Sequence, residues 1–210
     1  MGDFPVSKQW LSDSVGLWFA CGGDQTLGMN FDHLNEDSLI MEVGGYHGKW
    51  AKDMFDKYNC EVNVYEPVED CYDRCVNTLG FCEKVYLHDY GLSDHTGEVK
   101  IYLDNDGSSM IKETEDYSST TVVDVLDEMD KFERVIDLVH LNIEGAEYDV
   151  LDRILDNNYT KRIRSLLVQF HYYDGATSFH RRQEIQSRLA RTHTMSFNFD
   201  FVWERWDLRN

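Results

Sequence analysis

Apolar positions along the chain alternate between two spacings, and this alternation predicts an α/β fold. Short apolar runs predict strands, and apolar residues that recur every three or four positions predict helices. The predicted strands are 39–43, 61–65, 85–90, 98–103, 135–143, 163–171 and 195–203, and residues 121–126 open a short strand or helix. The predicted helices are 48–58, 69–79, 146–155 and 178–192. The order indicates a doubly wound, mostly parallel sheet, in which ligands bind at the carboxyl ends of the strands.

Two segments depart from this regular order. Residues 195–203 place phenylalanine at alternate positions, which predicts a half-buried strand, antiparallel at the edge of the sheet. Residues 104–119 are rich in Ser, Asp and Glu, and they predict a long loop that could cover a site. We expect one domain with three parts, which are an N-terminal extension over 1–38, a cofactor-binding core over 39–171, and a C-terminal helix and strand over 172–210.

The turn after the first predicted strand gives the clearest information about function. It reads LIMEVGGYHG, so that Glu42 precedes Gly44, Gly45 and Gly48. Glycines let backbone N–H groups approach a ligand, and Glu66 ends the next predicted strand, where a carboxylate can accept both hydroxyls of a ribose. The spacing is not the GxGxxG of a dinucleotide site, and a carboxylate before the turn would repel a pyrophosphate.

An acidic turn of this kind suits a cofactor that carries an ammonium or a sulfonium group. S-adenosylmethionine carries both groups and also a ribose for Glu66. The alternative is an ordinary strand–helix turn that binds no ligand. The sequence therefore favours a nucleoside-containing, cationic cofactor at the ends of the first two strands.

The charge of the chain limits the partners that it can attract. The net charge is −19, from 39 acidic and 20 basic residues, but residues 160–210 hold nine Lys or Arg and five Asp or Glu. The whole molecule should repel nucleic acid and anionic membranes, so neither is an expected partner. The basic C-terminal part could attract an anionic substrate, although a solvated helix face is the alternative.

The cysteines and the apolar runs bear on location and on metals. Five cysteines are an odd number for a disulfide framework, and we expect reduced thiols in a cytoplasmic protein. The first residues lack a signal peptide, and no apolar run approaches the ~20 residues of a membrane span. Cys71, Cys75 and the nearby Cys82 could be metal ligands, but Cys71 and Cys75 lie on an apolar helix face, which is more typical of a core. No metal site is predicted.

Six short blocks occur in a fixed order over residues 39–171. They are MEVGGYHG at 41–48, VYEP at 64–67, GLSDHTG at 91–97, TVVDVL at 121–126, LNIEGAEYDVL at 141–151 and QFH at 169–171. Together they resemble the FkbM-type methyltransferases, a branch of the class I S-adenosylmethionine-dependent enzymes. The resemblance implies a seven-stranded, Rossmann-like sheet, S-adenosylmethionine as the cofactor, and O-methylation of a hydroxyl on a sugar or a small metabolite.

The chain departs from the family pattern at four positions. His140 and Asn142 stand where the family has Lys and Asp, Gln169 stands for a Glu, and Glu42 stands for an Asp. An asparagine cannot act as a general base. If the family Asp serves catalysis or metal binding, this chain has lost that role or uses another residue.

The motifs and the predicted strand ends assign the residues of a site. For the cofactor, we expect Glu42, Gly44, Gly45 and Gly48 at the methionine part, Glu66 at the ribose, Leu92 and Ser93 at the adenine, and Asn142 near the sulfonium. The catalytic candidates are His140, Glu144 and His171. Either histidine could accept the proton of an alcohol, or could be a hydrogen-bonded core residue. Glu144 could cap the following helix or orient the substrate.

Two other functions remain open from the sequence. A nucleic-acid methyltransferase could use the basic C-terminal part, although the fourth-strand end lacks an Asn/Asp-Pro-Pro-aromatic motif. A non-catalytic cofactor-binding or scaffolding homologue would explain the loss of the family Asp. A metal-assisted reaction is conceivable from the many carboxylates of residues 104–116, but no spacing defines a site. The acceptor and the oligomeric state do not follow from the sequence.

Overall fold

Strands and helices alternate in the computed structural model, which describes residues 8–104, 107–109, 117–173 and 175–209. The helices are α1 Lys8–Ala20, α2 Lys49–Tyr58, α3 Glu69–Leu79, α4 Val125–Asp130, α5 Glu147–Asp156 and α6 Gly175–Leu189, with a 3-10 turn at Tyr159–Arg162. The strands are β1 Leu39–Val43, β2 Glu61–Tyr65, β3 Val85–His88, β4 Gly91–Ser93, β5 Gly97–Asp104, β6 Gly107–Ser109, β7 Tyr117–Asp124, β8 Ile136–Leu141, β9 Ile163–Val168, β10 His193–Phe199 and β11 Trp203–Leu208.

The main sheet has seven strands in the order β10-β11-β9-β8-β1-β2-β3. The five strands from β9 to β3 pair in parallel, whereas β11 is antiparallel to both of its neighbours. The predicted doubly wound, mostly parallel sheet with an antiparallel C-terminal edge is therefore confirmed. From β1 the chain proceeds outwards to β2 and β3, and later places β8 and β9 on the other side. The strand order thus reverses between β1 and β8, where ligands bind in folds of this kind.

The central strand β1 is buried along its whole length because helices cover both faces of a parallel sheet. Leu39, Met41 and Val43 pack into one apolar cluster, and Ile40 packs into a second cluster on the opposite face. A continuous apolar run is the sequence pattern that such a strand produces. Glu42 breaks this run, although it is only 1% exposed. A buried carboxyl group therefore lies at the carboxyl end of the central strand.

The C-terminal part is a hairpin of β10 and β11, whereas the sequence analysis predicted a single strand over 195–203. The chain turns at Phe201, whose φ is 55°, so the alternating phenylalanines belong partly to the strand and partly to the turn. The inward side of β11 carries Glu204, which is 1% exposed and accepts a hydrogen bond from Arg182 Nε at 2.5 Å. Because a charged residue occupies this inward position, β11 lacks the alternation of apolar and polar residues by which a strand is predicted.

A second sheet, with the order β4-β7-β5-β6, occupies part of the segment that was expected to be a loop. Residues 107–109 and 117–119 are strand, which corrects the prediction of a loop over 104–119. The remaining part of that prediction, residues 105–106 and 110–116, lies outside the described residues. The sheet is attached beside the end of β2, where Thr120 Oγ1 donates a hydrogen bond to the Pro67 carbonyl at 2.9 Å.

The N-terminal extension contains α1, a helix that the sequence analysis did not predict. Trp18 is 2% exposed and contacts the rings of Phe197, Phe199 and Trp203. The helix therefore covers the hairpin at the edge of the main sheet. None of the described helices combines the length and the apolar composition that a bilayer crossing requires.

Five arginines of the C-terminal part form ion pairs with acidic side chains. The ion pairs are Arg162 with Asp130, Arg164 with Asp137, Arg181 with Asp149 and Asp152, Arg182 with Asp200 and Glu204, and Arg188 with Asp152 and Asp156. Both alternatives from the sequence assumed that these positive charges face solvent. The pairing lowers the net positive charge that these five arginines present to an anion.

Candidate functional site

Buried polar groups meet where the strand order reverses. Glu42 of β1 and His140 of β8 are direct neighbours in the sheet, with 3.9 Å between Glu42 Oε1 and His140 Nδ1. Glu42 Oε2 and Asn142 Oδ1 are buried and have no hydrogen-bond partner among the described residues. An unpaired buried polar atom is costly, so its presence at this position indicates a place where a ligand supplies the missing partner.

The glycine turn after β1 is packed tightly against its neighbours. Gly44 has a φ of 93°, and a Cβ added to it would lie 2.1 Å from the carbonyl oxygen of Asn142. At Gly45 and Gly48, an added Cβ would meet side chains of β2 and α3 at 2.5 and 2.7 Å. These glycines are therefore required by the close approach of the turn to β8, β2 and α3. Their contact with the methionine part of a cofactor stays a prediction.

Glu66 holds the glycine turn in place from the end of β2. Its Oε2 accepts a hydrogen bond from the Tyr46 N–H at 2.7 Å, and its Oε1 accepts one from the Val68 N–H at 2.9 Å. Burial raises the pKa of Glu66, and its backbone hydrogen bonds, with Gly45 contributing, oppose that rise. Each carboxylate oxygen can accept a further hydrogen bond, so the group is chemically able to receive two ribose hydroxyls as well.

Glu42 lacks the backbone support that Glu66 has. Burial raises the pKa of Glu42 well above its usual range, the nearby Glu66 raises it further, and one hydrogen bond from the Ala51 N–H opposes the rise. Two buried carboxyl groups thus lie at the ends of neighbouring strands. This arrangement favours a ligand that brings positive charge.

His140 lies in an aromatic stack, away from the other catalytic candidates. Its ring is parallel to Trp50 at 4.0 Å and to Trp203 at 4.9 Å, and the residue is 4% exposed. Burial lowers the pKa of His140 to about 3, and neither ring nitrogen has a hydrogen-bond partner among the described residues. The geometry argues against a general base, because no surface is open to an acceptor. His140 is a core residue, although it lacks the hydrogen bonds expected for one.

Replacing His140 with phenylalanine provides a direct test of this interpretation. Phenylalanine keeps the stack with Trp50 and Trp203 and removes two unpaired buried nitrogens, so we expect the free energy of unfolding to change by less than about 1.5 kcal/mol. Urea denaturation measures this change. A catalytic role would instead appear as a loss of methyl transfer by the folded variant, with cofactor binding unchanged.

A second cluster joins Glu144, Glu147 and His171 at the ends of β8 and β9. His171 Nδ1 lies 2.7 Å from Glu147 Oε1, and His171 Nε2 lies 3.3 Å from Glu144 Oε1. Glu147 is fully buried and also accepts hydrogen bonds from the backbone N–H groups of Ile143 and Gly145, at 2.9 and 3.0 Å. The imidazole ring of His171 therefore lies between the buried carboxylate of Glu147 and the carboxylate of Glu144, which is 40% exposed.

The two carboxylates decide the protonation of His171. Burial lowers its pKa, but Glu147 and Glu144 outweigh burial and raise the pKa to about 10. At neutral pH the ring already carries both protons and cannot accept another. The geometry therefore argues against the base role considered for His171, and favours a role in positioning Glu144.

Glu147 is the residue of this cluster that the sequence analysis did not assign to the site. The N-cap of α5 is Ala146, and Glu147 binds the backbone amides that precede the helix. Of the two roles that the sequence left open for Glu144, the structure does not show the helix cap, because Ala146 is the N-cap and Glu147 binds the amides. Glu144 itself has a φ of 53°, so the chain turns sharply there. The block LNIEGAEYDVL contains both glutamates, so the sequence did point to Glu147. Spacing alone, however, did not distinguish its role from that of Glu144.

The two residues predicted to border the adenine are both buried. Leu92 is 2% exposed and packs in the same apolar cluster as Tyr65, and Ser93 is 5% exposed and donates a hydrogen bond to Asp94 at 3.1 Å. The preceding Gly91 lies against Pro67, which follows Glu66 in the chain. This segment is therefore near the end of β2, and its contact with adenine stays a prediction.

The cysteines of α3 lie beside the glycine turn. Cys75 is buried, its Sγ donates a hydrogen bond to the Tyr46 carbonyl at 3.4 Å, and burial raises its pKa to about 12. A thiol in this state is a packing residue and not a reactive one. Among the described residues, no three His, Cys, Asp or Glu side chains are grouped so that they could hold a metal ion.

The family comparison agrees with the blocks found in the sequence. A family model described as methyltransferase FkbM domain matches residues 42–191, which include both clusters. No curated protein matches the sequence.

Solved structures resemble the fold at low sequence identity. A fibrillarin/Nop5p complex matches with a TM-score of 0.54 and 8% identity, over 92% of this chain and 82% of that one. A proposed caffeoyl-CoA O-methyltransferase from Staphylococcus aureus matches with a TM-score of 0.50 and 11% identity, over 99% and 87%. An rRNA methylase from Streptococcus thermophilus matches with a TM-score of 0.49 and 11% identity, over 84% and 90%. These likenesses show the fold alone, and they give no support to the expectation that nucleic acid is not a partner.

Proposed function

This chain belongs to the family of FkbM-domain methyltransferases, and from that premise we propose that it uses S-adenosylmethionine to methylate a hydroxyl group on a sugar or small metabolite. The observation that carries the proposal is the buried Glu42 carboxyl group, whose Oε2 has no partner among the described residues, at the point where the strand order reverses. A cationic ligand bound there would satisfy it.

The residues of the site fit this cofactor. Glu42 and Asn142 offer unpaired buried oxygens to an ammonium or a sulfonium, and Glu66 offers a carboxylate to the ribose. When bound, S-adenosylmethionine supplies a methyl group on a sulfonium, and the sulfur is a good leaving group because it departs as a neutral thioether. Since such a transfer depends mainly on alignment and exclusion of water, the work of the chain is to hold the reacting groups in line.

The acceptor is proposed to bind at the ends of β8 and β9. Glu144 is the partly exposed carboxylate of the second cluster, and His171 fixes its position. Tyr172 and Tyr173 follow His171, are partly buried, and add aromatic surface with polar ends at the same edge. A carboxylate beside tyrosines suits a neutral compound with several hydroxyl groups, and Glu144 is placed to accept the proton of the reacting hydroxyl.

A nucleic-acid acceptor is the second candidate, because a proposed rRNA methylase from Clostridium thermocellum has a similar fold, with a TM-score of 0.50 and 11% identity. The net charge of −19 and the pairing of five C-terminal arginines with acidic residues favour the small acceptor. Transfer of a labelled methyl group to sugars and to RNA, measured in parallel, separates the two. Transfer to RNA with a steep dependence on salt would replace the small acceptor.

Replacing Glu66 with alanine tests the cofactor site. We expect the affinity for S-adenosylhomocysteine to fall about 30-fold, or about 2 kcal/mol, because charged hydrogen bonds to the ligand are lost. Titration calorimetry measures this affinity. Glu83 is exposed and lies between α3 and β3, so Glu83→Ala is a matched control that should bind as the unchanged chain does. Equal affinity for both variants would remove Glu66 from the site.

A further inference from the structure

We infer that Glu42 carries a proton in the cofactor-free protein and gives it up when the ammonium group of the donor binds. Donor binding is then linked to proton release and is controlled by pH. The inference rests on the proposed function, since it concerns the same site. It adds a property that the fold by itself does not require.

The geometry around Glu42 disfavours a bare negative charge. The residue is 1% exposed, one backbone N–H from Ala51 serves its carboxyl group, and Oε2 has no partner within the described part of the chain. His140 Nδ1 is 3.9 Å from Oε1, which is too far for a hydrogen bond. An ionised carboxylate in such surroundings is strongly destabilised, whereas the protonated form is tolerated.

The groups that face Glu42 from the neighbouring elements do not supply a positive charge. At the end of β2 lies Glu66, another acid, and α3 contributes the thiol of Cys75. From β8 comes His140, whose pKa is lowered to about 3, so its ring is neutral. Within 4 Å, His140 Nδ1 is the one basic side-chain nitrogen found among the described residues. A positive charge that pairs with an ionised Glu42 would therefore come from a ligand.

The proton balance follows directly. The protonated carboxyl group of Glu42 loses its proton to the solvent, the carboxylate pairs with the cation of the donor, and no bond of the donor changes. Because binding lowers the pKa of Glu42, affinity increases as the pH rises towards the pKa of the free protein, by up to about tenfold per pH unit. Above that pKa, the affinity becomes independent of pH.

Glu66 provides a contrast within the same site. Its two oxygens already accept hydrogen bonds from the backbone N–H groups of Tyr46 and Val68. Its expected ligand is the ribose, which is uncharged. Binding should therefore leave the protonation of Glu66 nearly unchanged, so that Glu66→Gln should keep proton release whereas Glu42→Gln should lose it.

Titration calorimetry with S-adenosylhomocysteine tests the inference, because this probe keeps the ammonium group of the donor. Binding is measured in phosphate and in Tris, whose ionisation enthalpies differ, between pH 5.5 and 8 as chosen conditions. We expect release of up to one proton per site by the unchanged chain. The Glu66→Gln variant should also release a proton, but over a lower pH range, because the charge of Glu66 no longer raises the pKa of Glu42. The Glu42→Gln variant should release none and should bind with an affinity that does not vary with pH.

The outcomes separate the inference from the proposed function. Binding without proton exchange would overturn the inference and leave the cofactor assignment intact, whereas no binding in any buffer would remove both. Proton release that Glu66→Gln abolishes and Glu42→Gln retains would also overturn it. If Glu42→Gln does not fold, a carbon-13 NMR titration of the unchanged chain, with and without the probe, shows whether the Glu42 carboxyl group is protonated.

Discussion

Gly44→Ala is expected to lower the free energy of unfolding by at least about 3 kcal/mol, the sum of a strained backbone and an overpacked contact. The φ of 93° disfavours any side chain, and the new Cβ would lie 2.1 Å from the Asn142 carbonyl oxygen. That oxygen belongs to the backbone and cannot rotate away. The turn must therefore separate from β8 or unfold. Urea denaturation, followed by circular dichroism, measures the change.

Gly16 in α1 provides the matched control for this substitution. An added Cβ there meets no described atom within 4 Å, and the residue lies within a helix. Alanine should therefore raise stability by about 0.5–1 kcal/mol, since it favours the helix more than glycine does. If Gly44→Ala were as stable as the unchanged chain, the close contact between the glycine turn and β8 would be disproved.

The main sheet could be predicted because its strands have simple patterns. The buried strands β1, β2, β8 and β9 are rich in apolar residues, and their alternation with amphipathic helices predicts a parallel arrangement. Strand β11 was missed because Glu204 occupies an inward position, where it pairs with Arg182 of α6. The burial of a charged residue can be predicted from the sequence only when its partner is known, and here the partner lies 22 residues away.

In the candidate site, the spacing of the motif predicted where the carboxylates lie, but it did not predict the surroundings of the two histidines. The motif placed Glu42 and Glu66 at neighbouring strand ends, and the structure has both there. It could not distinguish His140 from His171, since both are histidines near the end of a buried strand. His140 is buried in an aromatic stack, and burial lowers its pKa to about 3. His171 lies between two carboxylates, which raise its pKa to about 10. The difference arises from residues distant in sequence, which local patterns do not contain.

His171→Ala is expected to lower the free energy of unfolding by about 4 kcal/mol at pH 6.5, because it leaves the buried Glu147 carboxylate without its cation. The folded-state pKa of His171 is about 10, against the ordinary value of 6.5. Since the folded state holds the proton more tightly, the stabilisation is fully present below pH 6.5 and is lost as the pH rises through 10. In this window, the contribution should fall by roughly 1.4 kcal/mol per pH unit.

The measurement is the difference in unfolding free energy between the unchanged chain and His171→Ala, determined by urea denaturation from pH 6.5 to 10. Taking the difference cancels other groups that titrate in this range. His95 is the matched control, because it also pairs with a carboxylate, Asp94 at 2.7 Å, but both side chains are more than half exposed. His95→Ala should change stability by less than about 0.5 kcal/mol, since exposed pairs contribute little. A difference for His171→Ala that stays constant with pH would show that the ring is not held protonated between the two glutamates.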